Sequence, residues 1–263
     1  MNIATNSLSS TALRAGCRDG SFDGPTSGHA LGYVQANMVI LPKEFASEFH
    51  DYCDQNPQPC PVLEILDPGI PEPKNIAPGA DVRTDLPRYR VFRDGIAESE
   101  PTDITNLWSD ELVTFLLGCS FIAEDALLKA GLLLPHIAET GIVPMYRTTK
   151  QCVPAGRFAG PMVVSMRPFT LADAERAAEL TKHYPMAHGA PIHTGDPDEL
   201  GIVDIDAPEY GRPVTRQPDH VTVFWACGVT PQEALIAAKP PLAITHAPGH
   251  MFVAEITSES TRI

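Results

Sequence analysis

The sequence has no long apolar run and little positive charge. No segment approaches the roughly 20 apolar residues that span a bilayer. The first residues, MNIATNSLSS, have neither the basic start nor the continuous hydrophobic stretch of a secretory signal. Lysine and arginine number 19 against 33 acidic residues, which gives a formal net charge of −14. Because such a chain offers no dominant phosphate-binding surface, we expect no nucleic-acid or membrane partner and a cytoplasmic location.

No pair of cysteines forms a C-x-x-C motif. The six cysteines are scattered along 263 residues, at Cys17, Cys53, Cys60, Cys119, Cys152 and Cys227. In a chain of this length without a signal, free thiols are expected rather than disulfides. An apolar fraction of 43% is typical of a globular protein with a sizeable core, as one large domain or two small ones.

The stretch HVTVFWACGVTPQEALIAA, residues 220–238, predicts a strand, a turn and a helix. Its β-branched and aromatic run indicates the strand, which leaves Cys227 and Gly228 in the turn. Thr230 is a candidate helix cap, and Glu233 completes a Thr-x-x-Glu capping box. The carboxyl edge of the strands in an open α/β sheet is where ligands bind, so this turn is a candidate site.

A second unit of the same kind is LVTFLLGCSFIAEDALLKAG, residues 112–131. Here Gly118, Cys119 and Ser120 form the turn, and Glu124 falls in the first helical turn, where negative charge complements the helix dipole. We therefore expect the two cysteine turns to open onto one crevice.

Residues 143–196 show a β-β-α-β order, with Thr170 and Asp173 capping the helix. This order predicts a small α+β module inserted into a main α/β domain made of residues 1–142 and 197–263.

Histidines concentrate in two Gly/Pro-rich stretches. HGAPIHTGD contains His188, His193 and Asp196, which could orient either ring, and THAPGHM contains His246 and His250. Imidazole titrates near neutral pH, so these rings are candidates for proton transfer. The H-x3-H spacing of the second pair also falls within the range of zinc ligands, although Pro248 and Gly249 make the segment a loop. Histidines bonded to the backbone are the structural alternative.

Two cysteines and two arginines stand out by their surroundings. A thiol beside a helix start has a lowered pKa, which would activate Cys227 and Cys119, whereas a buried free cysteine behaves as a small hydrophobe. Turn N–H groups near Gly228 are candidates for stabilising an oxyanion. Arg147 and Arg167 each lie singly within an apolar strand, where an arginine needs an anionic partner, either a structural carboxylate or a substrate.

Taken together, these stretches resemble a known family. GPTSGHALGYVQANMVILP, NPQPCPVLE, DVRTDLPRYRVFRDG, GCSF, VPMYRT, GPMVVSMRP, HGAPIHTGDP, FWACGVTPQ and HAPGHM are similar to the bacterial "putative hydro-lyase" family, also classed as the D-glutamate cyclase family. The resemblance runs from about residue 12 to residue 256. It implies a three-layer α/β/α main domain with a smaller two-layer α+β domain, and a lyase that releases water, such as one converting D-glutamate to 5-oxo-D-proline. Glu124 falls at the family's glutamate position.

We therefore expect a cofactor-free lyase that acts on a small carboxylic or amino acid. The catalytic candidates are His188, His193, His246, His250, Cys227 and Glu124. The substrate-binding candidates are Arg147, Arg167, Cys119, Ser120, Asp196 and Gly228. Of these, His188, His193, Arg147, Cys227 and His246 are expected to converge on one pocket. A non-catalytic binding protein for small carboxylates and a metal-assisted hydrolase are the alternatives, no metal ligands are assigned, and a homo-oligomer is left open.

Overall fold

The computed structural model describes residues 8–263; residues 1–7, most of the stretch in which no secretory signal is expected, lie outside it. The helices are α1 (Ser10–Asp19), α2 (Lys43–Gln55), α3 (Glu124–Lys129), α4 (Pro135–Glu139), α5 (Leu171–Thr181) and α6 (Thr230–Ala238). The strands are β1 (Tyr33–Pro42), β2 (Val62–Leu66), β3 (Tyr89–Arg93), β4 (Ile96–Ser99), β5 (Leu112–Gly118), β6 (Met145–Gln151), β7 (Pro161–Thr170), β8 (His193–Thr194), β9 (His220–Ala226), β10 (Ala243–His246) and β11 (Phe252–Thr257). No helix within the described residues is both long and apolar enough to cross a membrane.

The strands form two sheets, and every pairing of named strands is antiparallel. One sheet has seven strands in the order β2-β5-β1-β10-β3-β4, with β11 also paired to β1, and the other has the order β6-β7-β9-β8. The mixture of helices and sheets fits the α/β class. The two cysteine turns do not share the carboxyl edge of one sheet, because β5 belongs to the seven-stranded sheet and β9 to the four-stranded sheet.

The four-stranded sheet extends beyond the predicted inserted module. Residues 143–196 contain β6, β7, α5 and β8 in the predicted order. However, β8 pairs with β9, and β9 separates it from β7. The sheet therefore needs residues 220–226 as well, and the division of the chain into domains at residues 143 and 196 stays a prediction.

The core lies on both faces of the seven-stranded sheet. Alternating residues of β1 enter different clusters, as strand geometry requires: Met38 packs on one face and Val39 on the other. The cluster around Val39 also takes in Phe49 of α2, Leu235 of α6 and Ala226 of β9. This face therefore packs against α2, α6 and the four-stranded sheet.

The two predicted helix caps have different outcomes. The cap of α5 is confirmed, because the Thr170 hydroxyl accepts from the Asp173 N–H at 3.2 Å. The capping box of α6 is wrong, since Thr230 is already helical and its hydroxyl donates to the Cys227 carbonyl at 2.7 Å. Glu233 instead binds Arg147 at 2.9 Å, so a tertiary ion pair replaces the local cap.

Candidate active site

The two cysteine turns meet around a buried amide, that of Asn37 on β1. Its Nδ2 donates to the Gly118 carbonyl at 2.5 Å. A Cβ atom on Gly228 would lie 1.8 Å from the same nitrogen, so only glycine fits there. Cys119 and Cys227 share one apolar cluster. The turns lie together, as predicted, but they close around a side chain that is 2% exposed and do not line an open crevice.

Beside the turns lies a cluster of buried polar side chains, the Arg167 cluster, which comprises Ser27, Ser120, Glu124, His136 and Arg167. Arg167 of β7 is 2% exposed. Its guanidinium donates to the Ser120 hydroxyl at 3.0 Å and to Glu124 Oε1 at 3.3 Å. Its carbon Cζ lies 5.6 Å from the centre of the buried Trp225 ring. The Nε–H is buried and has no hydrogen-bond partner among the described residues.

Glu124 balances the charge of Arg167. Besides Arg167, its carboxylate contacts His136 Nε2 at 2.7 Å and accepts from the Ser27 hydroxyl at 2.9 Å. Burial opposes ionisation, but His136, Arg167 and Ser27 together hold the pKa of Glu124 below its usual value. Burial lowers the pKa of His136, so the ring is neutral at pH 7 and donates to the carboxylate. The cluster thus contains one positive and one negative charge.

His188 lies in a strained turn that packs against the turn at Gly118 and Cys119. Its backbone has φ +70°, a conformation that a non-glycine residue rarely adopts and that is often found at functional sites. The turn approaches β5 so closely that a Cβ atom on Gly118 would lie 1.9 Å from the Met186 carbonyl oxygen. Sequence pattern could not predict this contact.

The His188 ring is held as a neutral base. Its Nδ1–H donates to the Gln58 carbonyl at 2.8 Å, so the other ring nitrogen, Nε2, carries the lone pair. Burial, with a smaller contribution from the positive charge of Arg167, lowers the pKa of His188 to about 4 against the opposing effect of the Gln58 carbonyl. The residue lines a cavity of about 230 Å³ with Pro57, Gln58, Pro185 and Gly189.

The two cysteines are not activated thiols. Burial raises the pKa of Cys227 to about 11, although the Val229 N–H and Arg167 both act to lower it. Burial also raises the pKa of Cys119. The expectation that a helix start lowers these pKa values is wrong, because the loss of water around the thiolate outweighs the nearby N–H groups. All six cysteines are free thiols and buried.

Three predicted site residues lie apart from the Arg167 cluster. Arg147 is exposed and pairs with Glu233 at 2.9 Å. Its anionic partner is thus a structural carboxylate, the first of the two alternatives. The Nε2 of His193 donates to the main-chain carbonyl of Asp196 at 2.8 Å. The Asp196 carboxylate accepts from the Asp198 N–H at 3.0 Å and orients neither His188 nor His193. Neither Arg147 nor His193 lines the cavity beside His188, so the structure does not bring them into one pocket with that residue as predicted.

His246 and His250 bond to the backbone, as in the structural alternative. The Met38 N–H donates to His246 Nδ1 at 3.1 Å, and His250 Nδ1 contacts the Pro248 carbonyl at 3.0 Å. Since Nδ1 of His246 accepts, its proton is on Nε2, which is buried without a partner. Burial lowers the pKa of His246 to about 3. Within residues 8–263, no group of three or more His, Cys, Asp or Glu side chains is placed to hold a metal ion.

Three further buried polar residues were not predicted from the sequence: Gln35, Asn37 and His136. Gln35 and Asn37 are two apart in the otherwise apolar strand β1, so they share a face, and both are 2% exposed. Like Arg167, both are polar groups inside an apolar strand, and this pattern could have identified them. His136 carries no such signal, because its short helix shows no pattern in the sequence.

Comparisons with known proteins identify the relatives of this chain. A family model described as D-glutamate cyclase matches residues 113–255. The chain is 52% identical over 260 residues to "Putative hydro-lyase" of Stutzerimonas stutzeri, covering 98% of each chain. It is 53% identical over 252 residues to a protein of the same description in Geobacillus kaustophilus, covering 96% of each. A third, from Rhizobium johnstonii, is 52% identical over 260 residues and 97% of each chain.

Proposed function

Because the chain belongs to the D-glutamate cyclase family, we propose that it is a lyase that removes water from a small carboxylic or amino acid, with cyclisation of D-glutamate to 5-oxo-D-proline as the reaction. The observation that carries the proposal is a neutral His188, lining a cavity, close enough to the buried Arg167 for that charge to lower its pKa. A proton acceptor and a donor for an anion are the two parts that this reaction needs.

Cyclisation forms one C–N bond and breaks one C–O bond. The α-ammonium loses protons, its nitrogen attacks the γ-carboxyl carbon, and one γ-carboxyl oxygen leaves as water. Both protons that the nitrogen gives up depart with that oxygen, so the base only relays protons and is regenerated. The Nε2 of His188 is suited to this relay, because its lone pair is fixed by the bond from Nδ1 to Gln58.

The bound substrate itself adjusts the basicity of His188. In the free protein the pKa of His188 is about 4, which makes it a weak base. A carboxylate bound nearby raises the pKa of an imidazole, because it stabilises the protonated ring. The Arg167 Nε–H and the Ser120 hydroxyl are the groups that we assign to bind this carboxylate or the tetrahedral oxyanion.

The proposal is tested by incubating the purified protein with D-glutamate, L-glutamate and a set of 2-hydroxy acids. Chiral chromatography detects 5-oxoproline, and NMR detects a new alkene from dehydration. We expect water loss from at least one substrate, and a fall of roughly 100- to 10,000-fold in kcat for His188→Gln.

His50→Gln is the matched control, because His50 is an exposed histidine of α2 that bonds no site residue. It should keep full activity. Binding of these acids without any conversion would overturn the lyase proposal in favour of a binding protein. Unchanged kcat in a folded His188→Gln protein would remove His188 from the mechanism.

A further inference from the structure

Gln35 of β1 has a buried carbonyl oxygen without a donor. Its Nε2 donates to the His29 carbonyl at 2.9 Å and to the Thr26 carbonyl at 3.3 Å. These two acceptors fix the orientation of the amide, because the NH₂ group must face them. The Oε1 atom is consequently turned away from them, and it is buried with no hydrogen-bond partner among the described residues. A buried acceptor left unpaired loses its hydrogen bonds to water without replacement, so this oxygen indicates a missing donor.

Asn37 presents a second carbonyl oxygen on the same face of β1. Its Nδ2 is committed to the Gly118 carbonyl, so its Oδ1 is the free end of the amide. No side chain or backbone group in residues 8–263 donates to that oxygen. Residues two apart on a strand lie roughly 7 Å from one another on one face. The two amides together therefore offer up to four lone pairs within a short distance.

The 26–29 loop connects these amides to the Arg167 cluster. Gln35 bonds to the Thr26 carbonyl, and the next residue, Ser27, donates to Glu124 at 2.9 Å. On the other side, Asn37 contacts both cysteine turns through Gly118 and Gly228. Gln35 and Asn37 are thus linked, through the 26–29 loop and the cysteine turns, to the groups to which the proposed function assigns the substrate carboxylate.

We propose that Gln35 and Asn37 form an ammonium-binding subsite, in which Gln35 Oε1 and Asn37 Oδ1 accept hydrogen bonds from the α-ammonium of an amino-acid ligand. This assignment rests on the proposed function for the location of the ligand, and makes Gln35 the residue that selects amino acids over hydroxy acids. A hydroxyl has one hydrogen to donate, whereas an ammonium has three and carries a charge that strengthens each bond. Two neighbouring carbonyl oxygens therefore match an ammonium better than a hydroxyl.

The test compares ligands that differ only at this group. Isothermal titration measures the binding of D-glutamate, L-glutamate and 2-hydroxyglutarate to the native protein and to Gln35→Met, which removes the acceptor at similar volume. We expect the native protein to bind one glutamate enantiomer at least tenfold more tightly than 2-hydroxyglutarate. Gln35→Met should weaken glutamate binding roughly ten- to a hundredfold and leave 2-hydroxyglutarate within about threefold.

Thr114→Val is the matched control. The Thr114 hydroxyl is also buried without a partner, but it lies within β5, away from the amides. Its replacement should leave every affinity unchanged. If Gln35→Met does not fold, the comparison of ligands on the native protein still decides, because equal affinity for glutamate and 2-hydroxyglutarate overturns the proposal.

The outcomes separate this subsite from the lyase proposal. Glutamate binding that depends on Gln35, without turnover of any substrate, supports the subsite and refutes the lyase. Turnover with the same glutamate preference in Gln35→Met as in the native protein refutes the subsite and keeps the lyase. Absence of binding by both glutamate enantiomers also refutes the subsite, and so does an equal loss of affinity for all ligands in Gln35→Met. In either case the Gln35 oxygen would accept from a water and not from an ammonium.

Discussion

Replacement of Glu124 by glutamine should destabilise the protein strongly, because it leaves Arg167 buried without a counter-charge. The two side chains are 1% and 2% exposed, and their closest approach is 3.3 Å. In Glu124→Gln the guanidinium keeps its hydrogen bond to Ser120 and its contact with Trp225. Neither group carries a negative charge, so neither offsets the cost of burying the cation.

The expected loss follows from the charge left behind. Removing one partner of a buried ion pair costs about 3–5 kcal/mol, mostly as the penalty of the remaining charge. His136 adds to this loss, since its Nε2–H, 2.7 Å from Glu124, keeps an acceptor only if the new amide oxygen takes that position. Replacing a neutral partner is cheaper: His136→Gln should cost about 1–3 kcal/mol, the range for one buried hydrogen-bond partner.

Urea unfolding followed by tryptophan fluorescence measures both variants, and Trp225 lies beside Arg167 to report on the cluster. Glu98→Gln is the control, because Glu98 is 53% exposed and pairs with Arg93 at 3.7 Å on the surface. That change should alter stability by no more than about 1 kcal/mol. A loss below about 1 kcal/mol for Glu124→Gln would show that Arg167 is not held by Glu124 and would refute the charge balance described above.

Two further predictions concern the surroundings of the site. The pKa of His188 is lowered from 6.5 to about 4, and that of His246 from 6.5 to about 3. Between pH 6.5 and the lowered pKa of each histidine, the unfolded chain binds a proton that the native protein does not. The free energy of unfolding should therefore be highest above pH 6.5 and fall as the pH drops towards 4, with a shallower fall in His188→Gln. Thermal unfolding at several pH values measures this, and an equal decrease of stability with pH in the two proteins would contradict it. Gly118→Ala should cost about 1–3 kcal/mol and impair turnover, because the new Cβ would meet the Met186 carbonyl at 1.9 Å and displace the His188 turn. Gly24→Ala, with nothing within 4 Å, is the control, and equal stability of the two variants would contradict the contact.

The sequence predicts the local elements well, because each depends on neighbouring residues. Both predicted strand–turn–helix units are present, as β5 followed by α3 and as β9 followed by α6. Strand pairing depends on distant segments instead. Nothing within residues 143–196 indicates that β9, more than twenty residues further along the chain, separates β7 from β8. The capping box failed for the same reason, since Glu233 pairs with Arg147, which is 86 residues away in the sequence.

The site residues too were predicted from the sequence with different success. Arg167, Glu124 and the cysteine turns are recognisable in the sequence as polar or small residues inside apolar runs, and such residues are usually buried together. Arg147 has the same pattern, yet its side chain emerges on the exposed side of β6. His193 donates to the main-chain carbonyl of Asp196, and the Asp196 carboxylate accepts from the main-chain N–H of Asp198. A sequence does not reveal such bonds to the main chain. Burial, rather than residue type, separates the two groups.

The charge balance of the Arg167 cluster limits which ligands it can bind. Arg167 and Glu124 already neutralise each other, so a lone carboxylate entering the site would bring an uncompensated negative charge into a buried region. An amino acid brings its own positive ammonium, to which we assign the buried oxygen of Gln35 and the amide oxygen of Asn37. A zwitterion therefore enters at lower electrostatic cost than a hydroxy acid of the same shape. Neutralising Arg167 in Arg167→Met would leave Glu124 as an excess negative charge, and this change should weaken the binding of both ligand classes while preserving the preference for the ammonium.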